Sequence, residues 1–240
     1  MSRVRERILE VAGELFYREG VQAVGVDAII AKADVARMSF YRHFQSKERL
    51  VIACIERRDE HIRAWFETQV ARLAPDALDR PLAVFDALAR RISAERYRGC
   101  GFLNTMAEMP DRADAAHRAA ATHKARFREY FVRLLREAGL GEQHATDLMQ
   151  LFDGAVVTAV REGTNAPALR AKRIAAMLLG VPESGKSVRQ ARRTKATAKA
   201  TVKAREKARV KASSESRAKR VASAKAAAAS MRARARSVAR

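Results

Sequence analysis

Residues 26–44 read VDAIIAKADVARMSFYRHF. Two short stretches with apolar residues at helical spacing flank the tetrapeptide ADVA. Ile29, Ile30 and Ala33 belong to the first, and Val35, Phe40 and Phe44 to the second. Each stretch is too short to bury a core of its own, but the two apolar faces can pack on each other. In the second, Phe40 and Phe44 lie one turn apart and point the same way. Arg37 and Tyr41 share a different face, as do Met38 and Arg42. The outward side is therefore cationic and hydrogen-bonding. The pattern predicts a short helix, a tight turn and a second short helix. A helix-turn-helix has this form: one helix buttresses a second, whose N-terminal residues meet base edges in the major groove.

Helical periodicity continues on both sides of this segment. Upstream, Val4, Ile8, Val11, Ala12, Leu15 and Phe16 form one stripe, and Gly20 can end the helix. Downstream, Ser46 is a good N-cap with Glu48 near the positive end. The helix it opens runs through RLVIACIERRDEHIRAWFETQVARL (49–73), with Leu50, Cys54, Ile55, Ile62, Trp65, Phe66 and Val70 as inward positions. Pro75 and Pro81 punctuate the chain. Helical pattern resumes at 82–92 and 117–139, while RYRGCGFLNTMAEMPD (96–111) is expected to be part helix and part loop. Two further helices, near 144–163 and 166–180, carry broad apolar faces, Leu148, Leu151, Phe152, Ala155, Val156, Ala159 and Val160 on the first and Leu169, Ile174, Leu178 and Leu179 on the second. Such faces suit self-association, and they equally suit ordinary core helices. VGVDAII is β-branched but too short for a strand. The expected fold class is all-α.

Charge divides the 240 residues unevenly. The net charge is +21, from 48 Lys and Arg against 27 Asp and Glu. Residues 183–240 hold 19 Lys and Arg against three Glu, a net of +16, and contain no Phe, Trp, Tyr, Leu or Ile. Such a segment cannot bury enough apolar surface to offset its ordering entropy. A disordered basic tail is expected over 183–240, and its charge density favours contact with DNA over simple solubilisation. No apolar run reaches the length of a membrane span. Charges in MSRVRERILE stand where a signal peptide needs its apolar stretch. Cys54 and Cys100 are too few for a disulfide framework and suit a reducing cytoplasm. The five histidines form no i,i+4 metal pair, and Cys–x–x–Cys and Gly-rich phosphate loops are missing. Cys100 lies between glycines, but nothing sequence-local activates it. Neither an enzyme nor a metal or other cofactor is expected.

The segment from Arg3 to Arg49 resembles the DNA-binding domain of TetR-family transcriptional regulators. The resemblance rests on LFYREG ending the first helix, on VDAIIAKADVA, and most specifically on SFYRHFQSKERL. It implies a helix-turn-helix domain over 1–49 and a helical ligand-binding and dimerisation domain over 50–182. The tail lies outside the family pattern. Asp34 stands where the turn usually has Gly, Ala36 where the recognition helix usually has a Ser or Thr cap, and Gly25 where Thr is common. Asp tolerates a left-handed backbone better than most residues, whereas losing a cap costs about 1 kcal/mol.

The resemblance also implies roles. Arg37, Met38, Ser39 and Arg42 are candidates for base-edge contact, and Tyr41, His43 and Lys47 for phosphate contact. His43 fits a packed histidine nearly as well. Double-stranded DNA bearing a palindromic operator is the implied partner, bound by a homodimer formed through the helices near 144–163 and 166–180. A small-molecule effector that releases the DNA is implied too, for a cytoplasmic, nucleoid-associated repressor. Its pocket candidates are Cys100, Phe102, Asn104, Met106, Glu108, Met109, Phe127, Phe131 and Phe152. The alternative is a nucleoid-type DNA binder dominated by its tail, without ligand control.

Overall fold

The computed structural model describes residues 2–183. The basic tail read at 183–240 therefore lies, but for Glu183, outside the described residues. Among the described residues nine α-helices follow one another: α1 (Arg3–Glu19), α2 (Val26–Ala33), α3 (Arg37–His43), α4 (Lys47–Leu73), α5 (Arg80–Ile92), α6 (Gly101–Glu108), α7 (Ala115–Glu137), α8 (Ala145–Glu162) and α9 (Ala166–Leu179). Short 3₁₀ turns precede α5 and α8. Among the described residues there is no strand, and VGVDAII leads directly into α2.

Local chemistry sets the element ends. Ser46 Oγ accepts the Arg49 N–H at 3.3 Å and starts α4. Ala36 gives α3 no side-chain cap. Asp34 ends α2 in the left-handed region at φ 49°, and its N–H reaches the Ala31 carbonyl at 3.2 Å. The segment 96–111 resolves into loop and helix, with α6 starting at Gly101 and stopping before Pro110.

Two apolar cores share α4. The first joins Ile8, Leu15, Ile29, Phe40, Phe44 and Leu50 of α1–α4, and also takes in Phe102 of α6 and Ala116 and Ala120 of α7. The second joins Phe66 and Val70 of α4 to α5, α7, α8 and α9, around the aromatic rings of Phe85, Phe127, Phe131 and Phe152. Ring centroids of Phe66 and Phe127 are 5.0 Å apart, and those of Phe127 and Phe152 4.8 Å. The division between cores thus falls inside α4, beyond Ile55, rather than at the start of that helix. About five turns of α4 continue past Ile55, so the helix fastens the N-terminal head to the body.

Candidate functional site

The outward face of α3 is built by what lies beneath it. Phe40 and Phe44 are buried, with the Arg5 guanidinium 5.2 Å from the Phe44 ring. That anchoring turns the remaining side chains outward. Met38 is 80% exposed and Tyr41 41% exposed, and Arg37 and Arg42 are exposed beside them. Ser39 is half-buried. Arg37 pairs with Asp27 of α2, so part of its charge is already engaged. Arg42 has no ion pair among the described residues. His43 is half-buried at the end of α3, its Nε2 3.5 Å from the Ser2 hydroxyl. Lys47 opens α4. The structure brings all seven candidates onto or next to one short helix.

A residue the pattern did not single out fixes the turn. Arg7 of α1 donates to the Asp34 carbonyl, and its guanidinium lies 3.7 Å from the Asp34 carboxylate. The side chain that replaces glycine in the turn thereby gains a partner.

The body holds two adjoining cavities. A cleft of about 490 Å³ runs between α1, α4 and α6, bounded by Leu9, Phe16, Tyr17, Ile55, Trp65 and Phe102 among others. A smaller chamber of about 30 Å³ is lined by Cys100, Phe102, Phe127 and Phe152, together with His123 and Lys124. Arg58, Ile62, Arg91, Gly101 and Phe102 belong to both walls.

Four of the nine pocket candidates therefore meet at a cavity, and the other five go elsewhere. Phe131 is fully buried in the second core. Asn104 is exposed, and its side chain donates to the Arg98 carbonyl at 3.1 Å. Met106 packs on the first core. Glu108 Oε2 accepts the Gln22 N–H at 2.9 Å, and Met109 Sδ lies 3.3 Å from Gln22 Nε2. The far end of α6 is thus a clamp on the α1–α2 connection. Residue type marked these positions as apolar or acidic, but only the rotation of α6 decides which way each one faces.

Sequence reading also missed a buried polar cluster. Asp59 of α4 is 2% exposed and His123 of α7 is 4% exposed. Asp59 takes His123 Nδ1 at 2.7 Å, Arg63 Nε at 3.0 Å and Arg126 at 2.6 Å. Burial alone would raise the Asp59 pKa, but the hydrogen bonds from Arg63, His123 and Arg126 outweigh it and hold the carboxylate below its ordinary value. Burial pushes His123 down to about 4 against the pull of Asp59. The neutral imidazole stacks on Phe102, centroid to centroid 3.5 Å. Asp59, invisible as a site residue in a charged helix, joins α4, α7 and α6.

Among the described residues, α8 and α9 leave a broad apolar face exposed. Met177 is 73% exposed and Val157 61%, with Val160, Leu169, Ile174 and Leu178 also exposed. Leu151, Ala155, Ile174 and Leu178 line a groove of about 560 Å³ between the two helices. An apolar surface of this kind is a hallmark of an interaction site.

The chain is similar to known proteins. The family of bacterial regulatory proteins described as the tetR family matches residues 8–54, from within α1 to the first turns of α4. The chain is 36% identical over 64 residues to the transposon Tn10 TetC protein of Escherichia coli, a match covering 27% of this chain and 32% of that protein. It thus spans about a third of that curated relative. A TetR-family transcriptional regulator from Streptomyces coelicolor is 32% identical across 71% of this chain and 94% of its own, with a TM-score of 0.61. A proposed TetR-type regulator from Streptomyces avermitilis is 29% identical, covers 75% of this chain and 100% of its own, and has a TM-score of 0.63.

Proposed function

We propose that this chain, which belongs to the TetR family of transcriptional regulators, is a dimeric repressor that binds one palindromic operator and leaves it when a small molecule occupies the cleft. The exposed Met38–Tyr41–Arg42 face of α3, held outward by buried Phe40 and Phe44, carries this reading. Arg42 can pair with guanine N7 and O6. Arg37 can do so once it exchanges Asp27 for a base. Tyr41 and Lys47 supply donors to phosphate, Lys47 at a helix N-terminus where anions are favoured. Ser39 lies between them, and His43 adds a further phosphate donor.

The uncovered α8–α9 face supports self-association. A two-fold dimer would carry two α3 helices to successive major grooves about 34–36 Å apart. Such an arrangement explains why a cleft wedged between α1, α4 and α6 can control DNA binding: a change in the angle of either head changes that spacing. Residues 183–240, with 19 Lys and Arg, add phosphate contacts of low sequence preference. The protein acts in the cytoplasm, on the nucleoid.

Selection of bound fragments from random duplex DNA by the purified chain tests this. One inverted repeat should emerge, and truncation after Pro182 should keep it while lowering salt-sensitive background binding. A truncated protein without preference for any repeat would sink the specific-repressor reading.

A further inference from the structure

The cleft wall contains two arginines without an acidic partner. Arg58 of α4 and Arg91 of α5 border both cavities, and neither forms an ion pair among the described residues. Other arginines of the body do have acidic partners, as Arg63 and Arg126 have Asp59 and Arg80 has Glu137. The Arg58 guanidinium lies 4.0 Å over the Tyr17 ring, and its Nε is buried without a hydrogen-bond partner among the described residues. Arg91 lies 5.3 Å from the Trp65 ring. Burial lowers the pKa of both, and the Arg58 charge adds to the effect on Arg91. Two like charges in a half-buried site, one with an orphan donor, are costly unless something negative joins them.

The surroundings are shaped for that. Gly101 starts α6 directly over Arg58, and a Cβ there would stand 2.9 Å from Arg58 Nε. The positive end of α6 faces the same space. The other basic or carboxylate side chains of the cleft wall are Arg57, held by Glu6 at 3.1 Å, and the exposed Glu10 and His61. The remaining wall is apolar, and the volume lies in the range of small-molecule sites.

We propose that the cleft binds a small organic carboxylate, its acid group taken by Arg58 and Arg91 and its apolar body lying along Leu9, Phe16, Val51, Ile55 and Trp65. This names the chemical class of the effector proposed above and rests on that reading. A monoanion suits the site better than a phosphate dianion, because the third guanidinium of the wall, Arg57, is already held by Glu6 and the rest offers little to a second charge. The occupant would touch α1 of the head and α4, α5 and α6 of the body together, so its binding and operator binding are coupled and reciprocal.

Trp65 is the single tryptophan and lines the cleft, so its fluorescence reports occupancy. The full chain is titrated with benzoate, 2-naphthoate and octanoate, with the primary amide of each, and with phenyl phosphate and inorganic phosphate. At least one acid should shift Trp65 emission saturably, with a Kd at least tenfold below that of its amide and of phenyl phosphate. Arg91→Gln and Arg58→Gln should each weaken it at least tenfold. Arg58→Lys, which keeps the charge but loses the fork, covers the case in which Arg58→Gln fails to fold, as read by circular dichroism. Amides binding as tightly as acids, phenyl phosphate binding tightest, no saturable response, or wild-type affinity in a folded Arg58→Gln/Arg91→Gln variant each overturns the proposal. Acid binding that leaves operator affinity unchanged upholds the anion site and removes the release reading. Release by neutral compounds while the acids stay inert does the reverse.

Discussion

Arg42 and Lys47 are two cations of the same head, and their loss should read out differently. Arg42 projects from the exposed face of α3, and a side chain that reads a base edge contributes mainly to discrimination. Arg42→Ala should lower affinity for the selected repeat by about 1–3 kcal/mol and relax preference at one position per half-site, measured by competition binding. Lys47 would contact only phosphate. Lys47→Ala should weaken all duplexes alike and make the log–log salt slope about 0.9 shallower per head. His123 gives a different test at this scale. Folded, it titrates at about 4 because burial disfavours its charged form, against an ordinary value of 6.5. Between those values the unfolded chain holds more protons than the folded one, so stability falls as pH falls through that window and is fully retained above it. The loss is at most on the order of 3 kcal/mol. His123→Gln should flatten the dependence of urea midpoints on pH between 6.5 and 4. An unchanged slope would mean that His123 is charged in the fold.

The α2–α3 turn shows how a departure from pattern is absorbed at the scale of elements. Asp34 adopts φ 49°, and Arg7 holds both its carbonyl and its carboxylate. Asp34→Gly should change stability little, since relief of the left-handed cost is offset by unfolded-state entropy. Asp34→Val should cost about 1–2 kcal/mol in thermal or urea unfolding, because a β-branched residue is strained there. Helix-by-helix structure was legible because 3.6-residue apolar spacing, Gly20 and Ser46 are all local signals. The outward face of α3 was legible for the same reason: α3 is short, and its two phenylalanines fix its rotation. The candidate effector cleft was legible only in part. Cys100, Phe102, Phe127 and Phe152 reach the inner chamber, yet the larger cleft is made by Leu9, Tyr17, Arg58 and Arg91 from helices far apart in sequence. A charge in a helix such as RRDEHIR reads as solvated until tertiary packing buries it, which is why Arg58 and Asp59 gave no signal.

At the scale of the molecule, the α8–α9 face should decide assembly. Ile174→Glu with Met177→Glu places charge on two exposed apolar positions that the fold itself does not need. Sedimentation should then report a folded monomer, and affinity for the full repeat should drop toward that of a half-site. A dimer that survives the pair would move the interface elsewhere. The linkage from body to DNA can be put as leverage. α4 runs 27 residues without proline or glycine, from its Ser46 cap in the head to Val70 in the body core. At about 1.5 Å per residue it is a stiff arm of roughly 40 Å. A tilt of about 5° at the body end displaces the far end by roughly 3.5 Å, close to the rise of about 3.4 Å per base along a strand. In the proposed switch the arm would work as a gear, turning a small tilt in the body into a shift of the reading head by about one base step.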